Sequence, residues 1–185
     1  MMKENQKVIR SSFWANLFKP PTDKTDLQEI LQAIPLFAQL SKRDFSMLFN
    51  IIHNRSYVAH EYIFHQGDPG IGLYVIREGE VRIERKLDSA ETISLAKFKS
   101  GDFFGELALV DDEKRSASAI AESEVKLAVI FKPDLDEFIS HFPKRGVKIL
   151  QGISHVVAVR LRQLNEENIK LQSSIKKHSE SKYGT

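Results

Sequence analysis

The residues best suited to chemistry lie in one run, Gly101-Asp102-Phe103-Phe104-Gly105-Glu106-Leu107-Ala108-Leu109-Val110-Asp111-Asp112-Glu113-Lys114-Arg115-Ser116-Ala117-Ser118. It interrupts a strand-like pattern with a short helix-compatible piece that begins near Gly105. The first amides of a helix lack internal partners and sit at the positive end of its dipole, so such a start favours an anion. Gly105 has no side chain to hold a ligand away. Arg115 adds a full charge and a planar fork of donors that matches two phosphate oxygens, and Ser116 adds a hydroxyl. Glu106 offers two acceptor oxygens suited to a sugar hydroxyl. Together these groups suit a ligand with one phosphate and a ribose. The competing, purely structural reading pairs Glu106 with Arg115 and uses the two to close the loop.

The elements that must position these groups follow from periodicity. From Tyr57 the pattern has a period of two, in the runs YVAHEYIFH, LYVIREGEVRIERK, ETISLAKF, SASAIA and VKLAVIF. Turn signals such as Gly67-Asp68-Pro69-Gly70 separate them, as expected of a sandwich or jelly roll. Before the strands, Asp26–Ala33 reads as a short helix. Ser41 opens a second, with Asp44 in a capping position and Phe45, Leu48, Phe49 and Ile52 on one face. After them, Pro133 starts a helix over Asp134–Ser140, and a long helix follows Pro143 to about Ile175. The fold class is therefore mainly β with flanking helices: an eight-stranded jelly-roll barrel, N-terminal helices and a long C-terminal helix. Its divisions are an N-terminal helix and linker (1–25), the β-roll domain (26–142), the long helix (143–175) and a polar tail (176–185).

Both ends carry signals of assembly. Val8, Ile9, Phe13, Trp14, Leu17 and Phe18 form a helical apolar face before Pro20-Pro21; it suits packing on the domain, on a second subunit, or on a membrane surface or partner. In the long helix, Val147, Ser154, Leu161, Asn168 and Ile175 take heptad a positions, and Leu150, Val157, Leu164 and Leu171 take d. Asn168 at an a position favours a two-stranded register. The expectation is a homodimer through this helix, with its N-terminal half on the barrel.

Within the β-roll the sequence resembles the cyclic nucleotide-binding domain family, which includes the catabolite activator protein and protein kinase A regulatory subunits. Gly-Glu-Leu-Ala-Leu at 105–109, with Arg-Ser-Ala at 115–117, is similar to the family's phosphate-binding cassette. Ile34-Pro35-Leu36-Phe37, Leu40-Ser41, Gln66-Gly67-Asp68, Leu73-Tyr74-Val75-Ile76 and Gly79-Glu80-Val81 extend the resemblance over Ile30 to Glu167. It implies that Arg115 pairs with a cyclic phosphate and Glu106 with a ribose 2′-hydroxyl. It also implies contacts from Gly105, Leu107, Ala108, Ser116 and Ala117, and a base held by Leu95 on a strand and by Leu164 and Asn165 on a closing helix. The implied ligand is cAMP in preference to cGMP. The chain departs from the family in placing Asp111-Asp112-Glu113-Lys114 before the arginine, where many members have Gly or Pro; acids leaning on Arg115 would weaken phosphate binding.

Composition bounds the alternatives. The chain has 185 residues, 42% hydrophobic and 28% charged, with a net charge of +2, so neither disorder nor a strong global field for nucleic acid is expected. With no cysteine, disulfides, thiolate metal sites and cysteine nucleophiles are excluded. No run reaches the roughly 18–20 apolar residues of a membrane span, and the start lacks a secretory apolar core; the expected place is the cytoplasm. No catalytic constellation assembles, so no enzyme activity, metal or cofactor is expected. His60 and His65 are set apart on strand-like sequence, and the His-x-His pattern of a cupin-like metal enzyme is missing. Specific DNA binding through a recognition helix is not expected. The expectation is a cyclic nucleotide sensor that relays occupancy to a protein effector through its last helix; the alternative is a ligand-independent adaptor on the same fold.

Overall fold

The computed structural model describes residues 27–183 apart from Ala90, with side chains to Lys176. The aromatic segment Val8–Phe18 lies outside the described residues. Helix α1 (Leu27–Ala33) leads through a 3-10 turn (Pro35–Phe37) to α2 (Lys42–Leu48) and a second 3-10 turn (Phe49–Ile51). Ser41 caps α2 reciprocally: its Oγ accepts from the Asp44 amide at 3.3 Å, and the Asp44 carboxylate accepts from the Ser41 amide at 3.0 Å. This is the expected capping pair, satisfying two amides the helix cannot.

Eight strands follow among the described residues: β1 (Ile52–Tyr57), β2 (Tyr62–Phe64), β3 (Gly72–Glu78), β4 (Glu80–Lys86), β5 (Thr92–Lys99), β6 (Phe103–Phe104), β7 (Ser118–Ala121) and β8 (Val125–Phe131). They form two four-stranded antiparallel sheets, ordered β1-β8-β3-β6 and β2-β7-β4-β5. No ladder between the two is described, so the expected single barrel is a jelly-roll-like pair of sheets. Ile52, expected on the face of α2, instead opens β1 opposite Ile130. The ladder with β8 outcompetes the helical spacing, and the outward Asn54-Arg55-Ser56 run of β1 gives no apolar alternation to read. Leu73, Val75, Val81, Phe103, Leu127, Val129 and Ile130 fill the core with Leu31, Leu36, Phe37 and Phe45 from the N-terminal helices.

Helix α3 (Lys132–His141) leads into α4 (Pro143–Tyr183), which runs past the expected end near Ile175 into the polar segment. Ile149, Ile153 and Val156 of α4 are buried, whereas Val147, Leu150, Leu161, Leu164, Leu171 and Ile175 are exposed. The packed stripe and the heptad stripe are therefore different faces. The N-terminal half of α4 rests chiefly on the Pro35–Phe37 turn and α3. Gly152 permits this approach, since a Cβ there would lie 2.2 Å from the Leu36 carbonyl oxygen.

Candidate functional site

The site is built where β6 ends. Phe103 and Phe104 pair with Val75 and Tyr74 of β3, and Gly105 then turns the chain with φ +78° into a 3-10 turn, Glu106–Leu109. A side chain at this backbone angle is strained, and a Cβ on Gly105 would sit 2.7 Å from Nη1 of Arg115. The glycine is required on both counts.

Arg115 is held from behind by the turn after β2. Its amide donates to the Asp68 carbonyl at 2.8 Å, and its own carbonyl accepts from the Gly67 amide at 2.8 Å. Asp68 folds that turn by accepting from the His65 amide at 2.7 Å, which gives Gln66-Gly67-Asp68 a concrete task in placing the arginine. The guanidinium points inward and is 8% exposed. Nη2 donates to the Gly72 carbonyl at 2.8 Å and Nη1 to the Gly105 carbonyl at 3.2 Å, while Nε has no partner. Its Cζ lies 4.2 Å from the centroid of Phe64 and 5.4 Å from that of Tyr74, a cation–π arrangement. Burial, the largest cause, pulls its pKa below the ordinary value; Tyr74, Glu106 and Asp111 oppose this.

Glu106 is 1% exposed. It does not pair with Arg115: its Oε1 accepts from Nη1 of Arg160 on α4, and Oε2 has no partner. The loop-closing pair considered from sequence is thus replaced by a link between this turn and α4. A buried carboxylate oxygen and a buried guanidinium nitrogen left unsatisfied are costly, and both belong to residues lining one cavity of about 1350 Å³.

Gly105, Leu107, Ala108, Ser116, Ala117, Leu95 and Leu164 line the same cavity. Asn165 is exposed and is not among the lining residues. Two turns of α4 present Arg160, Gln163, Leu164 and Glu167 to the cavity instead. Arg160 was not singled out from sequence; the available signal was a basic residue one turn before Leu164. Of the three acids before Arg115, Asp112 is 93% exposed on its side chain and pairs with Lys132 at 3.3 Å, Asp111 acts on the guanidinium, and Asp111 and Glu113 both line the cavity. His60 and His65 occupy separate places: His60 sits in a turn with φ +69°, and His65 stacks on Tyr62 with centroids 4.1 Å apart.

A cavity lined by β4, β5, the 104–117 segment and α4, with an inward arginine and a buried carboxylate, defines a small-molecule-binding domain. Residues 54–142 match the family model of the cyclic nucleotide-binding domain, and the chain belongs to that family. The cyclic AMP receptor protein of Thermus thermophilus is 31% identical over 137 residues, covering 74% of this chain and 62% of that protein. A cAMP-dependent protein kinase regulatory subunit of Hypocrea atroviridis is 32% identical over 105 residues, 57% of this chain and 22% of that protein. The crystal structure of the N-terminal domain of a transcriptional regulator from Streptomyces coelicolor superposes with a TM-score of 0.65 at 32% identity, covering 74% of this chain and 95% of that one. The chain thus spans less than two thirds of the length of these two curated relatives. Among the described residues no helix is long and apolar enough to cross a membrane.

Proposed function

We propose that this protein is a sensor of a cyclic purine nucleotide, cAMP in preference to cGMP, and that α4 carries the occupancy signal to a protein effector. The observation that carries this reading is the pair of unsatisfied buried atoms, Nε of Arg115 and Oε2 of Glu106, on residues that line one cavity. Arg115 and the 3-10 turn take the cyclic phosphate, with Gly105, Leu107, Ala108, Ser116 and Ala117 beside it. Glu106 Oε2 accepts from the ribose 2′-hydroxyl. Leu95 and Leu164 flank the base, and the names of the relatives that carry cAMP support the choice of nucleotide.

The relay follows from the Glu106–Arg160 pair. The carboxylate that takes the ribose is the one that holds α4, so a ligand preferring one arrangement of this pair shifts the helix population by its differential affinity. In this reading the exposed heptad face of α4 forms a homodimer seam, and the cysteine-free chain works in the cytoplasm.

Isothermal titration with cAMP and cGMP in parallel tests the proposal. Saturable binding, tighter for cAMP, is the expected result. Arg115→Ala should weaken it by about 2–5 kcal/mol, the usual cost of truncating one side of a buried charge pair. Absence of heat and of any thermal shift with either nucleotide would leave the adaptor reading, in which Arg115 serves only the two carbonyls and rings it already touches.

A further inference from the structure

We propose that Asp111 and Glu113 are specificity-determining residues of the cavity: they admit a nucleotide whose phosphate carries one charge, a cyclic phosphodiester, and turn away 5′-phosphomonoesters and polyphosphates. This selectivity presupposes the cyclic nucleotide reading of the site. Both acids line the cavity with Arg115, and Asp111 acts on its guanidinium. Asp112, between them, turns to Lys132 instead. Neither Asp111 nor Glu113 is in an ion pair among the described residues. The loop that carries them is fixed at both ends. The Asp111 amide donates to the Leu107 carbonyl at 3.1 Å, and Lys114 bridges Pro69 in antiparallel register before the Arg115 amide reaches the Asp68 carbonyl. Gly70 lies against the middle of the loop, where a Cβ would be 2.7 Å from the Glu113 carbonyl oxygen. The backbone thus holds the two acids between the 3-10 turn and the arginine. A ligand is called for here independently of the acids, since Arg115 is 8% exposed and its Nε lacks a partner, as does Oε2 of the buried Glu106.

The charge balance of the cavity decides how much negative charge that ligand can bring. Seven acidic side chains line it against five basic ones. Of the bases, Arg82 and Lys97 are taken by Glu84 and Glu122, and Arg160 by Glu106. Arg115 and Lys114 are left to balance Asp111, Glu113, Glu91 and Glu167. The first negative charge of a ligand is met by Arg115; each further one adds repulsion. A cyclic phosphodiester carries one charge, whereas a phosphomonoester carries about 1.5 to 2 at pH 7, its second pKa lying near 6. Repulsion scales with ligand charge, so the acids cost a monoester nearly twice what they cost the diester. Discrimination by repulsion sacrifices some affinity for the preferred ligand. That gives the acids a task in a phosphate site they would otherwise only weaken. Hydrolysis of the cyclic ester leaves base and ribose intact and adds one ionisable oxygen, so this selector reads whether the ring is closed.

Competition titration on the full chain with cAMP, 5′-AMP and adenosine 5′-(methyl phosphate) separates charge from ring closure, because the methyl ester has an open ring and a single charge. Wild type should bind the methyl ester more tightly than 5′-AMP. Asp111→Asn with Glu113→Gln, both near-isosteric, should raise affinity by about threefold for each unit of ligand charge. The gain is then about threefold for cAMP and the methyl ester and close to tenfold for 5′-AMP, and the preference over 5′-AMP narrows. Asp112→Asn, outside the cavity, should leave the ratios at their wild-type values. Raising salt from about 50 to about 500 mM should narrow the preference in wild type and change it little in the double variant. Equal gains for all three ligands, no gain, or the same narrowing with Asp112→Asn overturns the proposal. The sensor reading survives those outcomes, since it requires only saturable cAMP binding that Arg115→Ala weakens. If wild type binds none of the three, the selector and the sensor fall together.

Discussion

The two halves of α4 have similar sequence character and opposite situations. From Pro143 to Val157 the helix is fastened to the domain: Ile149, Ile153 and Val156 are buried, Gly152 meets the Leu36 backbone, and Asp44 of α2 takes Arg145 at 2.7 Å and Lys148 at 3.2 Å. From Leu161 onward, Leu161, Leu171 and Ile175 are exposed, and Leu164, also exposed, lines the cavity. Between the two halves stands Arg160, holding Glu106 at the cavity. One half is an anchor shared with the N-terminal helices, the other has a largely exposed apolar face, and the arginine at their junction ties the helix to the cavity. A long helix transmits a change only if one part is fixed while another is free to respond.

The comparison breaks most visibly at the anchor. Ile153→Ala should destabilise the domain by about 2–5 kcal/mol, as expected for removing a fully buried Ile, measured by urea unfolding. A loss under 1 kcal/mol would show that this half is not fixed to the core. The Asp44 clamp comes next. Its capping bond to Ser41, together with Arg145 and Lys148, holds the Asp44 carboxyl well below its ordinary pKa of 3.8. A depressed folded-state pKa gives stability that is fully present above the unfolded value and is lost as pH falls through the folded one. Asp44→Asn should therefore cost about 2 kcal/mol near neutrality, the scale of charge-assisted hydrogen bonds. The gap to wild type should stay constant down to about pH 5 and narrow below about pH 4, as the carboxyl protonates in the unfolded chain while the folded one stays ionised. A gap that widens on acidification would contradict the assigned direction.

How much of this was legible in the sequence depends on whether a signal is local. The capping pair at Ser41 and Asp44, the strand-like runs along the chain and the Gly105–Ser116 segment could be read, because turn glycines, alternation and short spacings are local; the sheet order could not. That segment marked Arg115 and Glu106 as candidate binding residues, while their burial is a finding of the structure. Arg160 carried no such mark, because its partner is 54 residues away and a lone arginine on a helix looks like a solvated one. The heptad pattern indicated one apolar face on α4, yet the face that packs on the domain is a second stripe at helical spacing, Ile149, Ile153 and Val156, chosen by the close approach of Ile139 at Gly146 and of the Leu36 backbone at Gly152. Asn165 was placed at the base by resemblance; one residue along a helix is 100° of rotation, enough to carry it out of the cavity that Leu164 lines.

The junction itself gives a smaller and more selective effect. Arg160→Gln removes the charge and shortens the side chain that holds Glu106 Oε1, while keeping a helix-compatible polar residue. The expected loss of stability is about 1 kcal/mol, with nucleotide affinity changed less than by Arg115→Ala. The sharper readout is hydrogen exchange: in wild type, ligand should slow exchange along residues 158–170, and in Arg160→Gln that protection should fall away while protection at 105–117 remains. If the two regions stay coupled in the variant, the link between ligand and helix runs through other contacts.

The smallest effect belongs to the exposed end, and it separates a lone helix from a seam. Leu171 is exposed in the single chain, so Leu171→Ala should change the unfolding free energy by no more than about 0.5 kcal/mol at low protein concentration, as for surface positions generally. If α4 pairs with a second copy, stability gains a term that grows with concentration. Wild type should then melt higher as concentration rises, Leu171→Ala should lose that dependence, and Ile153→Ala should keep it on a lower baseline. A wild-type melting temperature independent of concentration would remove the seam while leaving the anchor and the Arg160 link untouched, since neither draws on a second chain.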